Sequence, residues 1–219
     1  KKLSKRLKRE DVKITVIDKH PFHTMLTELH EVAAGRVDED SIRISLKKVF
    51  AGRNIDFILD TAEHIDFEKR EVIGSGDKYS YDYLVIAAGS QPTFFNVKGA
   101  KEHSYKLWSY EDAVILHERI LDCFRRACEE TDAAERRRLL TFYVVGAGFT
   151  GVEMAGELAE YAPVLCKKFG LDKSEVTMVN VDILDRVVPI LPEKLSAKVE
   201  KRLLKMGVKI MLKTSVCAI

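Results

Sequence analysis

The stretch Leu140–Glu153 constrains the fold of this 219-residue chain more than any other. Its first part, residues 140–145, is apolar, aromatic or β-branched, as is typical of a buried parallel strand. Val152–Ala162 continues as a mostly apolar helix. Between the two, glycines stand at G-x-G-x-x-G spacing, at Gly146, Gly148 and Gly151. Strand, glycine turn and helix in this order predict a dinucleotide-binding unit.

Each glycine of this turn has its own physical task. Gly146 makes the tight turn, Gly148 lets a pyrophosphate approach the backbone, and Gly151 lets the helix pack closely on the strand. The start of the helix then presents free N–H groups and a positive dipole end to the phosphates. We therefore expect this turn to bind the diphosphate of a dinucleotide. The alternative is a glycine-rich turn without a ligand.

An acidic residue closes the next predicted strand, since Asp182 follows Val176–Val181. A carboxylate in this place accepts hydrogen bonds from an adenosine ribose diol and repels a 2′-phosphate. The separation between Gly151 and Asp182 is longer than usual, and a long first helix explains it. We expect Pro163 to restart a helical turn that runs to Phe169. The sequence therefore favours NAD over NADP.

Composition narrows the class of protein. The formal net charge is +2 and 46% of the residues are hydrophobic, as in ordinary globular proteins. No window approaches about eighteen uncharged apolar residues and no signal peptide is visible. The four cysteines show no dense framework, which fits a reducing cytoplasm.

Two other site types are disfavoured by residue pattern. The basic start, residues 1–9, is better explained by an amphipathic helix with a solvated lysine face than by nucleic-acid binding. Neither the cysteines nor the histidines have metal-ligand spacing, so His20, His23, His30 and His64 are interpreted as ordinary histidines. We expect no nucleic-acid partner and no metal.

The first half of the chain carries signs of a second dinucleotide unit. Val12–Ile17 is a predicted strand that ends at Asp18, which repeats the arrangement of an acid after a strand. Leu84–Ala88 also has the composition of a parallel strand. Small residues end it, at Ala88, Gly89 and Ser90, and would let a bulky cofactor lie against the backbone.

The segment between these two strands is predicted to be first helical and then antiparallel. Thr24–Ala34 has helical character and is closed by Gly35. Four short strand signals follow and indicate a small antiparallel meander inserted in a parallel fold, at Ile55–Leu59, Ala62–Ile65, Glu71–Ile73 and Lys78–Tyr81.

Three motifs, in this order, carry a family resemblance. They are Phe22-His-Thr-Met-Leu-Thr-Glu-Leu-His-Glu-Val-Ala-Ala-Gly35, Tyr81-Asp-Tyr-Leu-Val-Ile-Ala-Ala-Gly-Ser90 and Gly146-Ala-Gly-Phe-Thr-Gly-Val-Glu153. The chain resembles the flavoproteins with two dinucleotide-binding domains. It is most similar to the type II NADH dehydrogenases, which pass electrons from NADH through FAD to quinone. The likeness covers nearly the whole chain and includes Leu107–Ala113 and Asp185–Leu191.

The resemblance implies an α/β fold of two Rossmann-like units in series, with the antiparallel meander in the first. Residues 1–105 would form a partial FAD-binding domain, and residues 106–219 an NADH-binding domain. FAD and NADH would be the cofactors. A quinone or a similar small molecule would accept the electrons.

Carried over residue by residue, the resemblance implies a site in each unit. Asp18 matches the acid that holds the FAD adenosine ribose, and Ala62 matches the position that faces the adenine. Ala88 and Gly89 match the small-residue turn beside FAD. The residues that match the pyrophosphate loop for NADH are Gly146, Gly148, Phe149, Thr150 and Gly151.

Two acidic residues complete the implied NADH site. Asp182 matches its ribose acid. Glu153 matches a glutamate near the nicotinamide, which makes it the candidate catalytic residue. The alternative for Glu153 is a carboxylate that only complements the helix dipole.

The chain also departs from the family pattern. Thr27 stands where proline is common, and Val97–Gly99 stands where Ile-Pro-Gly is usual. The family's first FAD glycine loop, its second FAD segment and its C-terminal amphipathic membrane anchor have no counterpart here. We therefore expect a fragment that is inactive alone. The intact parent would lie peripherally on the inner face of the cell membrane, and a homodimer is compatible with the family.

Other electron acceptors and a non-catalytic role stay open. A disulfide reductase of this fold would use a C-x4-C redox pair, and Cys123 and Cys128 have that spacing. However, a helix is predicted from the N-cap Ser109 onward, and helix positions five apart rise about 7.5 Å, beyond the disulfide limit of about 7 Å. A ferredoxin reductase and a nucleotide-binding module without catalysis are the remaining alternatives.

Overall fold

The structure is a computed structural model that describes residues 2–7 and 12–219. Part of the predicted basic helix, residues 1 and 8–9, lies outside the described residues. The helices and strands in chain order are α1 (Lys2–Arg6), β1 (Thr15–Asp18), β2 (Phe22–Thr24), α2 (Leu29–Ala33), β3 (Arg43–Ser45), α3 (Leu46–Phe50), β4 (Asp56–Leu59), β5 (Ala62–Asp66), β6 (Glu71–Gly74), β7 (Lys78–Ser80), α4 (Ala100–His103), α5 (Tyr110–Glu129), α6 (Ala133–Leu139), β8 (Thr141–Val145), α7 (Phe149–Phe169), β9 (Thr177–Val181), α8 (Glu193–Lys205) and β10 (Val208–Met211).

The chain divides into two compact units. The first comprises Lys1–Met25 and Ser41–Ser90, and the second comprises Leu26–Asp40 and Gln91–Ile219. Residues 26–40, which the sequence placed in a first domain, therefore belong to the second unit, because α2 packs against α5 and α7. The assignment of FAD and NADH to separate domains stays a prediction.

Within the described part of the first unit, the strands form three small sheets. β1 pairs in parallel with β4, so that Asp18 lies opposite Leu59. β2 pairs antiparallel with β3, and β5, β6 and β7 form an antiparallel meander. The predicted meander is thus present over β5–β7. The prediction was wrong for residues 55–59, which pair in parallel with β1 instead.

Two further predictions in the first half were wrong. Leu84–Ala88 is not a strand, because the parallel ladder of the described first unit contains β1 and β4 and offers it no partner. Val85 is accordingly 80% exposed. The predicted helix Thr24–Ala34 begins later, at Leu29, because Phe22–Thr24 pairs with β3 and the 3-10 turn Leu26–Glu28 follows.

The Asp60 carboxylate organises the turns of the meander. It accepts hydrogen bonds from the Ser75 hydroxyl at 2.6 Å, the Tyr79 hydroxyl at 2.7 Å and the Thr61 N–H at 2.7 Å. These bonds favour the ionised form, so the pKa of Asp60 is held well below its usual range. Gly74 leaves room for this arrangement, because a Cβ there would overlap the Asp60 carboxylate and displace it.

The second unit is built on a parallel sheet with the order β10-β9-β8. Val145 at the end of β8 lies opposite Val181 at the end of β9, so the carboxyl ends of these strands meet at one edge. Helix α5 begins at a capping box between Ser109 and Asp112, as predicted. Its buried Phe124 stacks on Phe142 of β8, with ring centroids 5.8 Å apart.

Helix α7 runs without interruption past Pro163 to Phe169, where Gly170 ends it in a left-handed conformation. The predicted restart at Pro163 was therefore wrong. Proline removes one backbone hydrogen bond from a helix interior. Here the nearby residues Ala162 and Leu165 are buried, and their packing stabilises the continuous helix. Within the described residues, no helix combines the length and apolar composition needed to cross a bilayer.

The Asp60–Tyr79 hydrogen bond generates a pH-dependent prediction. The bond raises the pKa of Tyr79 to about 12. Asp60→Asn removes the negative charge, so we expect Tyr79 to ionise at lower pH, nearer the ordinary tyrosine value of about 10. Ultraviolet absorbance of the phenolate during a pH titration measures this shift, and Tyr79→Phe identifies the Tyr79 signal. An unchanged titration in Asp60→Asn would contradict the assignment.

The sign of the stability effect follows from both groups. The pKa of Asp60 is lowered on folding, so its contribution to the free energy of unfolding is full above about pH 4 and is lost as pH falls. The pKa of Tyr79 is raised, so its contribution is full below about pH 10 and is lost as pH rises through about 12. The difference in Tm between wild type and Asp60→Asn should thus shrink in acid.

Candidate functional site

The glycine turn lies between β8 and α7, as the sequence predicts. Gly146 has a φ of +103°, a conformation that favours glycine, and its N–H donates to the Val181 carbonyl at 2.7 Å. The Ala147 carbonyl accepts from the Val188 N–H at 2.7 Å, so the segment that follows β9 contacts the turn. Gly148 is the N-cap of α7, and its position carries no side-chain cap.

The start of α7 therefore offers backbone N–H donors. The first N–H groups of a helix have no intrahelical acceptor, and here no side chain of the N-cap residue takes one. An added Cβ at Gly148 would meet nothing within 4 Å, so the space in front of these donors is open. This combination of free donors, helix dipole and open space fits the diphosphate of a dinucleotide.

Close packing explains Gly151. A Cβ on this residue would overlap the carbonyl oxygen of Gly146. Gly156, one turn further along α7, differs, because a Cβ there would make only ordinary contacts at 3.8 Å with Leu203 and Met206. Of these helix glycines, Gly151 is thus the one that lets the helix approach the turn.

Asp182 lies at the end of β9, beside the turn. One carboxylate oxygen accepts from the Ala147 N–H at 2.5 Å, and the other accepts from the Leu184 N–H at 2.8 Å. Each oxygen keeps a further lone pair, so the carboxylate can still accept hydroxyl groups of a ribose. The sequence predicted the ribose acid but gave no sign that the same group would also bind the turn.

Asn180 is a site residue that the sequence analysis missed. Its side chain is fully buried, and its amide nitrogen donates to the Gly146 carbonyl at 2.8 Å and to the Val144 carbonyl at 3.0 Å. The available signal was an amide in the otherwise apolar end of β9, Met178–Val181. Buried polar side chains are normally hydrogen-bonded, which makes such a residue worth following.

A cavity of about 350 Å³ opens beside the first turn of α7. Its lining includes the apolar residues Leu29, Leu107 and Phe149 and the polar residues His30, Thr150 and Glu153. Phe149, Thr150 and Glu153 thus line one cavity, while their part in binding a ligand stays a prediction. An apolar cavity with a few polar groups on one side is the usual form of a small-molecule site.

His30, which also lines this cavity, lies close to the candidate catalytic residue Glu153. Its Nδ1 lies 3.8 Å from Glu153 Oε2, with the imidazole 13% and the carboxylate 46% exposed. The ligand atoms of His30, Glu31 and Glu157 also lie within 4.8 Å of one another. Arg36 already forms an ion pair with Glu157, with 2.6 Å between Nε and Oε2, so this cluster is not purely anionic.

The residues predicted for FAD all lie in the first unit. Asp18 ends β1, and one of its carboxylate oxygens accepts the His20 N–H at 2.9 Å. Ala62 begins β5 and is exposed. Ala88 and Gly89 are exposed, and Gly89 has a φ of +73°, which fits a turn with open backbone. These features are compatible with a nucleotide, while the role of each residue stays a prediction.

Cys123 and Cys128 are both free thiols on α5, one buried and one exposed. Burial raises the pKa of the Cys123 thiol, which disfavours the reactive thiolate. The pair therefore lacks the features of a redox disulfide, in agreement with the helix spacing.

Three glycines of one helix segment provide a matched test. Gly151→Ala should lower the free energy of unfolding by about 2 kcal/mol through overpacking, and should abolish NADH binding. Gly148→Ala should leave stability nearly unchanged but weaken NADH binding, because its methyl group enters the open space. Gly156→Ala should bind NADH normally and gain about 0.5–1 kcal/mol from helix propensity. Denaturant unfolding and calorimetric NADH titration measure both properties. Equal NADH affinity in all three variants would contradict the site.

Comparison with known proteins gives the family. The chain matches the family described as pyridine nucleotide-disulphide oxidoreductase over residues 2–219. It is 36% identical over 219 residues to the type II NADH:quinone oxidoreductase Ndh of Mycobacterium tuberculosis. This alignment covers 95% of this chain and 47% of that protein. It is 31% identical over 219 residues to the type II NADH:quinone oxidoreductase of Staphylococcus aureus. That alignment covers 99% of this chain and 54% of the relative.

A solved structure supports the same fold. The NDH2 of Plasmodium falciparum in complex with NADH has a TM-score of 0.89 at 18% identity, and covers 97% of this chain and 45% of that one. The predicted α/β class with an FAD/NAD(P)-binding fold is thereby confirmed. The chain spans about half the length of the curated relatives. Because the family match extends over nearly all of its residues, the chain belongs to the pyridine nucleotide-disulphide oxidoreductase family.

Proposed function

We propose that this chain is the nucleotide-binding part of an FAD-dependent oxidoreductase that passes electrons from NADH to a quinone. The observation that carries the proposal is the start of α7, where uncapped N–H groups face open space beside Asp182. The names of the curated relatives, NADH:quinone oxidoreductases, support the choice of donor and acceptor. A quinone acceptor favours a peripheral place on the inner face of the cell membrane.

NADH would bind through the backbone more than through side chains. Amide groups from Gly148 to Gly151 would donate to the diphosphate oxygens, assisted by the helix dipole. Asp182 would accept the ribose hydroxyl groups. Because that carboxylate is negative, it would repel the 2′-phosphate of NADPH and so select NADH.

Glu153 would act where the nicotinamide ring lies. The apolar lining residues of the cavity, including Phe149 and Leu107, suit a flat ring, and Glu153 lines the same cavity. Loss of a hydride makes the nicotinamide ring positive, and a nearby carboxylate stabilises a positive charge that develops in the reaction. Glu153 would thus favour hydride departure.

FAD, when bound, would supply the hydride acceptor and pass electrons on to the quinone. In this chain, Asp18 would hold its adenosine ribose, and Ala62 would face its adenine. The exposed backbone at Ala88 and Gly89 would let the cofactor approach closely, because no large side chain stands there.

The test is NADH oxidation by the full-length protein that contains this chain, with quinone, oxygen, a disulfide or ferredoxin as acceptor. We expect bleaching of the flavin by NADH and the fastest turnover with quinone. Glu153→Gln should keep NADH affinity within about threefold but lower kcat by about tenfold to a hundredfold, since it removes the charge. Glu160→Gln, on the same helix, is the control. A protein that binds NADH but contains no flavin would instead be a non-catalytic module, and would refute the proposal.

Coenzyme choice gives a separate prediction. Asp182→Asn keeps the shape of the side chain and an oxygen that can accept the Ala147 N–H, but it removes the negative charge. We expect NADH to bind more weakly and the ratio of NADPH to NADH affinity to rise about tenfold. Calorimetric titration with each coenzyme measures the ratio. An unchanged ratio would show that Asp182 does not select the coenzyme.

A further inference from the structure

Two side chains hold one peptide group of the glycine turn, one at its carbonyl and one at its N–H. The first side chain lies on β9, and the second belongs to the residue that follows β9. The peptide joins Gly146 to Ala147. Its carbonyl oxygen accepts from the Asn180 amide at 2.8 Å, and its N–H donates to the Asp182 carboxylate at 2.5 Å. A donor therefore faces the carbonyl, and an acceptor faces the N–H.

This pairing allows one orientation of the peptide and opposes the other. Gly146 has no Cβ, so rotation of the peptide about its flanking bonds meets little steric resistance. In the flipped orientation, the Gly146 carbonyl would face the Asp182 carboxylate and the Ala147 N–H would face the Asn180 amide donor. Both contacts would be repulsive. The two side chains thus determine the direction of the peptide dipole that precedes α7.

The burial of Asn180 argues that its amide serves the turn. The side chain is fully buried, and within the described residues its Oδ1 has no hydrogen-bond partner. A buried acceptor without a partner lowers stability relative to an apolar residue. Its neighbours on β9, Val179 and Val181, are apolar and buried. The gain that offsets this cost is the pair of hydrogen bonds from the amide nitrogen, to the carbonyls of Gly146 in the turn and Val144 at the end of β8.

We propose that Asn180 is a positioning residue for coenzyme binding, which rests on the proposed function. Together with Asp182, it locks the Gly146–Ala147 peptide so that the N–H groups at the start of α7 are presented to the diphosphate. Asp182 then has two tasks, since it holds the turn and accepts the ribose. The contacts to the diphosphate and to the ribose are thereby linked through the Asp182 carboxylate.

The test compares Asn180→Leu and Asn180→Ala with Asn54→Leu. Asn54 is a matched control, because its amide also donates to a backbone carbonyl, that of Val12 at 2.9 Å, in the first unit. Amide hydrogen exchange, followed by NMR on the coenzyme-free chain, reports the Ala147 N–H directly. Calorimetric NADH titration reports affinity, and thermal unfolding reports stability. Two variants are used because leucine could overpack where alanine does not.

We expect exchange at Ala147 to accelerate about tenfold in the Asn180 variants, with β8 and β9 amides little changed. NADH should bind about tenfold more weakly, and Tm should fall moderately, because the Gly146 and Val144 carbonyls lose their donor. Asn54→Leu should leave both Ala147 exchange and NADH affinity unchanged.

Two results would overturn the proposal. One is unchanged exchange at Ala147 in a folded Asn180 variant. The other is exchange that rises equally throughout β8 and β9, because this would make Asn180 a general structural residue of the sheet. If the wild type itself fails to bind NADH, the proposed function fails, but the exchange at Ala147 still decides whether Asn180 holds the turn.

Discussion

The close approach of α7 to the end of β8 is the constraint on which the second unit depends. Gly151 lies so near the Gly146 carbonyl that any side chain at this position would collide with it. This contact brings the first turn of α7 to the edge of the sheet where β8 and β9 end. Because helix start and strand ends meet there, uncapped N–H donors and the Asp182 carboxylate share one place. That geometry suits the proposed ligand, an anion with an attached ribose.

The cavity beside this turn, which is proposed to hold the reactive end of the coenzyme, also depends on the position of α7. Phe149 lies on the first turn of α7 and Glu153 follows that turn, so the residues proposed to hold the phosphates and those that line the cavity share one helix. Rigid elements keep such groups in place more precisely than loops do. His30 reaches the same cavity from α2, which is part of the second unit although it precedes the meander in the chain.

Features with local causes could be predicted from the sequence, and features that depend on distant partners could not. The glycine turn, the Asp182 position and the capping box at Ser109 are each encoded within a few residues. In contrast, Leu84–Ala88 has the composition of a strand but lacks a pairing partner among the described strands, and β4 pairs with β1 across the intervening chain. The roles of Asn180 and His30 also depend on contacts made across the fold, with Gly146 and Glu153. For Asn180, the polar residue in an apolar strand was the one local sign.

The most direct measurement is an NADH titration of the isotopically labelled chain, followed through its backbone amide resonances. The account predicts the largest shifts at Gly148, Phe149 and Thr150, with smaller shifts at Asp182 and Glu153. NADH binding that leaves the amides from Gly146 to Gly151 unshifted, or no binding at millimolar NADH, would contradict the central claim that this turn holds the coenzyme.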